Sequence, residues 1–146
     1  MSETGFKGAI TLVGTVGTYL LGGWDTLLEV LLIVTALDVL MGLLAAVVNR
    51  DLDSREMWRG GVRKVGMFAI IALAAQLDRV MPIGEALFQT TDPVLRTATV
   101  WFFLAHEGLS VIENAGKAGL PVPEGLQVFL RQLKERGNAE EGNPDA

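Results

Sequence analysis

Between Val30 and Val48 the chain runs for 19 residues (VLLIVTALDVLMGLLAAVV) with one charged side chain, Asp38, near the middle. At about 1.5 Å of rise per residue, a helix of that length covers the ~30 Å of bilayer hydrocarbon, so the block is long enough to cross a membrane unaided. A lone carboxylate at that depth costs ~2.5 to 3.5 kcal/mol on insertion scales, so Asp38 needs a partner or a proton. One block therefore names the solvent in which the chain folds and a problem its fold has to solve.

Charge is sparse in three further blocks. Ala9 to Trp24 has no charged residue over 16 positions and Val65 to Leu77 none over 13. Val94 to Ile112 is apolar in its middle, with Arg96 near one end and His106 and Glu107 in its second half. The third block reaches spanning length over Gly61 to Met81 if Arg63 and Lys64 snorkel toward one headgroup layer while Asp78 and Arg79 sit at the other. The first block is shorter and broken by Gly22-Gly23, and it either spans or lies flat in the interface. Its Gly14, Thr18 and Gly22 recur at the small-residue spacing that lets helix backbones approach closely in lipid.

This patterning predicts an all-α integral membrane protein. Residues 1–115 hold three to four transmembrane helices in the apolar blocks 9–24, 30–48, 61–81 and 94–112. A Gly/Pro turn and an amphipathic helix follow over 116–136, with Leu126, Phe129, Leu130 and Leu133 at helical spacing, and then a polar, disordered tail over 137–146. The loop from Asn49 to Lys64 carries Arg50, Arg55, Arg59, Arg63 and Lys64, whereas Val80 to Pro93 carries no Lys or Arg. Excess positive charge marks the cytoplasmic side, so that loop and the C-terminus are expected in the cytoplasm.

Two polar stripes run through these blocks. Thr35, Asp38, Gly42, Ala45, Ala46 and Asn49 follow at steps of three and four on one helix. Arg96, Thr99, Phe103, His106, Ser110 and Glu113 do the same on another, with Glu107 beside them. The stripes pair within one subunit or face a neighbouring copy, lining an oligomer interface or an aqueous lesion. The plainer alternatives are that Asp38 is a hydrogen-bonded packing group, and that His106, Glu107 and Glu113 mark where a helix leaves the bilayer.

Catalytic readings have little to stand on. His106-Glu107 opens the zinc-protease string HExxH, but Ser110 stands where the second histidine belongs and the chain has one histidine in all. No nucleophile elbow, Walker loop or dinucleotide fingerprint after a strand is present, so neither a catalytic residue, a metal nor a cofactor is expected. With 12 Lys and Arg against 17 Asp and Glu, the net charge of −5 offers no basic face to nucleic acid. Zero cysteines exclude disulfides and thiolate metal sites.

Several strings, in order along nearly the whole chain, resemble the phage-lysis and toxin-secretion holins often called phage holin family 4. They are GTVGTYLLGGWD (Gly14 to Asp25), LDVLMG (Leu37 to Gly42), the segment Gly60 to Lys64, LDR (Leu77 to Arg79), and HEGLSVIENAGKAGLPVPEGLQVFLRQLK (His106 to Lys134). Val39 and Met41 depart from the aromatic and threonine usual around Asp38, and His106 stands where asparagine is common. The resemblance implies a holin, a protein of the bacterial cytoplasmic membrane that accumulates, self-associates and opens lesions. Through these a cell-wall hydrolase (endolysin) or a toxin leaves, without covalent chemistry. A non-lytic membrane scaffold whose C-terminal helix docks a partner is the alternative, and a soluble helical bundle the third reading.

Overall fold

The structure is a computed structural model that describes residues 3–126 and 128. Among these residues the regular structure is entirely helical: α1 (Glu3–Leu20), α2 (Thr26–Val48), α3 (Ser54–Val80), a single π-helical turn (Gly84–Phe88) and α4 (Val94–Lys117). The boundaries have local causes. Asp25 caps α2 by accepting from the Leu28 amide at 2.9 Å, and Asp53 caps α3 by accepting from the Arg55 amide at 2.7 Å. Gly22 and Gly23, at φ +82° and +115°, turn the chain from α1 into α2. Downstream of α4, Gly119 at φ +79° donates to the Gly116 carbonyl and Leu120 to that of Ala115, closing the helix before Pro121.

α4 has no cap of its own. Its first amides, from Leu95 and Arg96, donate to the two Asp78 carboxylate oxygens at 3.0 and 2.7 Å, so the end of α3 caps the start of α4. Arg96 also bonds Asp25 before α2, while at the far end the Asn49 amide reaches the Lys117 carbonyl at 3.0 Å. α2 and α4 therefore run parallel, with α3 antiparallel to both. α2 and α3 pack chiefly on α4 and little on each other, and α1 meets α3 only weakly. Leu31, Met67, Ile71 and Val100 form the apolar core, with Leu27, Phe68, Phe103 and Leu104 against it.

The distribution of polarity is the reverse of a water-soluble bundle. Ile33, Leu40, Leu43 and Val47 of α2, Trp58, Val65, Ile70 and Leu73 of α3, and Trp101 and Phe102 of α4 are exposed, whereas Thr35, Asp38, Arg96 and Glu107 are buried. An apolar exterior of that extent around paired internal charges suits a hydrocarbon solvent. α2 and α3 are each long and apolar enough to cross a membrane.

One expectation changes and another falls mostly outside the described residues. α3 begins at Ser54, well before Gly61, and Lys64 turns inward instead of snorkelling to a headgroup layer, because two carboxylates wait inside for it. The helix expected over 116–136 is seen only at its start, helical at 124–126. Its remainder and the 137–146 tail lie outside the described residues apart from Val128.

Candidate functional site

The buried charge sits in two places. The first is at mid-helix, where Asp38 of α2, Lys64 of α3 and Glu107 of α4 project into the space between the three helices. The Lys64 Nζ donates to Asp38 Oδ2 at 2.9 Å and to Glu107 Oε2. The Asn114 amide donates to the other Asp38 oxygen at 3.0 Å. Asp38 is thus held from α3 and α4 at once, and three helices are tied by side chains with no backbone group involved. A buried carboxylate in this setting is tolerable only because a cation and an amide satisfy it, and removing either leaves a desolvated charge. Gly42, one turn along α2, makes room: a Cβ there would meet the Asn114 amide at 3.4 Å.

The second is the junction of α1, α2 and α4. Arg96, 2% exposed, donates from Nε to the Leu21 carbonyl at 2.6 Å, from Nη1 to Asp25 Oδ2 at 2.5 Å and from Nη2 to the Gly23 carbonyl at 3.3 Å. α3 completes the clasp, Gln76 donating to the Leu20 carbonyl and Arg79 to that of Tyr19, with the Arg79 guanidinium 4.2 Å over the Tyr19 ring. At the end of α1 the Gly17 and Thr18 carbonyls accept the Leu21 and Gly23 amides, the Tyr19 carbonyl accepts the Gly22 amide as well as Arg79, and the Leu20 carbonyl is taken by Gln76. The Arg96 guanidinium holds the Asp25 carboxyl below its usual range, its hydrogen bond outweighing the burial that opposes it. Gly22 is required here, because a Cβ would lie 2.8 Å from Arg96 Cδ and 2.9 Å from the Ala75 Cβ.

Of the residues singled out from the sequence, Asp38, Gly42, Glu107 and Arg96 fall in these two clusters. Thr35 is buried one turn from Asp38, its hydroxyl without a hydrogen-bond partner. Thr99 folds back onto the Leu95 carbonyl at 2.7 Å, and Ser110 is half-buried. His106 and Glu113 face outward, Glu113 pairing with Lys117 at 3.0 Å. The inward stripe of α4 runs Arg96, Val100, Phe103, Glu107 and Asn114, half-buried Thr99 borders it, and His106 and Glu113 lie on the outer face of the subunit. One residue turns a helix by about 100°, enough to place His106 and Glu113 off the interior beside buried Glu107 and half-buried Asn114. Gly14 meets nothing within 4 Å in its own chain, and Thr18 is half-buried, so the proposed small-residue packing face is engaged only at Gly22.

Lys64 and Asn114 were not anticipated. Asn114 lies two turns from Glu107, and that spacing was the available signal. Lys64 was masked by the basic residues before it. Among the described residues no cluster of His, Asp and Glu could hold a metal ion.

Residues 15–135 match the Bacteriophage holin family. An uncharacterised protein of Clostridium acetobutylicum is 34% identical over 82% of this chain and 90% of its own length. An uncharacterised protein of Halalkalibacterium halodurans is 34% identical over 90% of this chain and 96% of its own. A probable holin of Bacillus phage phi105 is 33% identical over 66% of this chain and 65% of its own. No solved structure matches the chain.

Proposed function

The chain belongs to the bacteriophage holin family, and we propose from this that it acts as a holin. In this reading it accumulates in the bacterial cytoplasmic membrane, self-associates and opens lesions that release an endolysin or a toxin. The observation that carries the reading is the inverted polarity of the bundle, with apolar side chains outside and the Asp38, Lys64 and Glu107 cluster inside.

α2 and α3 supply two crossings. α4, parallel to α2 along its length, supplies a third, its Glu107 made tolerable by Lys64. α1 is the candidate fourth. The exposed Arg50, Arg55, Arg59 and Arg63 support a cytoplasmic α2–α3 loop, and with it a cytoplasmic C-terminal end of α4. The amphipathic helix expected over 116–136 then lies on the cytoplasmic face. Assembly exchanges pairs made within a subunit for contacts between subunits, and turns polar seams toward water.

Induced expression in bacteria tests this. The expected result is abrupt loss of membrane potential with release of a co-expressed cell-wall hydrolase. Asp38→Ala and Glu107→Ala are expected to insert normally and shift the time of lysis. Harmless accumulation of the parent protein would make the chain a membrane scaffold instead, and parental timing in both variants would remove the polar seam from the mechanism.

A further inference from the structure

α2 and α3 stand apart where they approach their shared loop, and the gap between them is a cavity of about 460 Å³. Gly42 and Ala46 on the α2 wall and Gly60 and Gly61 on the α3 wall leave it room, and Val39, Leu43 and Met57 complete the walls. Its floor is formed by Asp38, Lys64 and Asn114, and its mouth by Asp51, Asp53, Glu56 and Arg63. The volume is many times the ~30 Å³ a water molecule occupies, and the floor and mouth supply the polar partners that water needs. A lipid tail there would desolvate a lysine and several carboxylates without replacing their hydrogen bonds.

The cavity reaches the α2–α3 loop, where Asp51 and Asp53 line it. The hollow at the opposite end of the bundle, about 230 Å³ and lined by Gly22, Asp78 and Arg96 among others, shares no lining residue with it. Leu31, Ile71 and Val100, with no exposed surface, lie in the core between the two ends. Four carboxylates line the cavity against two cations, while Arg55 and Arg59 border a separate hollow around Trp58.

We propose that the cleft between α2 and α3 is a water-filled, cation-favouring vestibule, open only at the α2–α3 loop, that wets the Asp38–Lys64 pair in the single subunit. This rests on the reading that α2 and α3 span the membrane. A subunit built this way carries water to mid-membrane from one side before assembly, and only the Leu31, Ile71 and Val100 layer separates it from the other.

The chain has no cysteine, so single thiols can be placed at will. Gly42→Cys and Gly60→Cys put thiols on the two walls. At Gly60 an added Cβ meets nothing within 4 Å, so that variant remains informative if Gly42→Cys is disturbed by Asn114. Ile33→Cys, on the exposed outer face of α2, is the lipid control. Right-side-out and inside-out membrane vesicles are treated with impermeant methanethiosulfonates carrying either a trimethylammonium or a sulfonate group. The wall thiols should react only from the side bearing the α2–α3 loop, at least ~10-fold faster with the cationic reagent, and the control should stay silent. Silent wall thiols beside a silent control, reaction from both sides or from the opposite one, or no preference for the cation would overturn the vestibule. A control thiol as reactive as the walls would overturn the membrane-spanning reading itself.

Discussion

The two buried charge clusters solve the same electrostatic problem in different ways. Arg96 spreads a planar guanidinium over two main-chain carbonyls and a carboxylate at a helix junction, so its partners are fixed by the backbone. Lys64 places a point charge between two carboxylates from separate helices, and every partner is a side chain that can rotate away. The first arrangement ties chain ends and has one solution. The second holds three helices by contacts that a neighbouring copy, or water, can replace. On the holin reading proposed above, the contrast assigns architecture to the junction and rearrangement to the middle of the bundle.

The largest expected effect is from Lys64→Met, which strands Asp38 and Glu107 without their cation. Breaking a buried pair in this way costs about 3 to 5 kcal/mol, and unfolding in detergent micelles should register it. The combined variant Asp38→Leu, Lys64→Met, Glu107→Leu removes the whole cluster. Apolar replacement of a buried ionic group is often neutral or stabilising, so this variant should unfold no more readily than the parent and yet fail to lyse on schedule. Lysis at the parental time would erase the distinction between the clusters.

Arg96→Lys comes next. It keeps the charge but loses the fork, leaving a buried Leu21 or Gly23 carbonyl unpaired at about 1 to 3 kcal/mol. Limited proteolysis should then cut more readily between α1 and α2. Gly22→Ala should act in the same place and direction by about 1 to 3 kcal/mol, since it combines strain at positive φ with a clash against Arg96. If Arg96→Lys changed lysis timing without loosening α1, the junction too would belong to the moving part.

The smallest effect is pH-dependent. The Asp25 carboxyl lies below its ordinary value of 3.8 in the folded chain, so its contribution is present above that value and lost as pH falls through the lowered one. Its carboxylate is 47% exposed, which keeps the contribution modest. The stability difference between the parent and Asp25→Asn, followed by thermal unfolding in detergent, should therefore be constant near neutrality and vanish in strong acid.

Sequence patterning made the helices legible because lipid imposes length and apolarity on each span separately. Asp38 announced its need for a partner, and Gly22-Gly23 announced the break after α1. The partner itself was hidden: Lys64 follows a run of arginines, and only the tertiary fold shows that α3 starts early enough to carry Lys64 inside. Arg96 was visible as a polar residue at a block edge, but two of its three partners are carbonyls more than 70 positions earlier, and a carbonyl has no sequence signature. On α4 the polar stripe and the buried stripe differ by one residue at His106 and Glu113, and Val100 and Phe103 show by their packing which of the two faces the interior of the subunit.

The most direct measurement is solid-state NMR in lipid bilayers, on subunits kept below the density at which they assemble, following transfer between the Lys64 ¹⁵Nζ and the ¹³C carboxyls of Asp38 and Glu107. The bundle described here predicts both cross peaks, unchanged when labelled subunits are diluted into unlabelled protein. Absent cross peaks, or ones that fade on dilution, would mean that the charges are not paired inside one subunit.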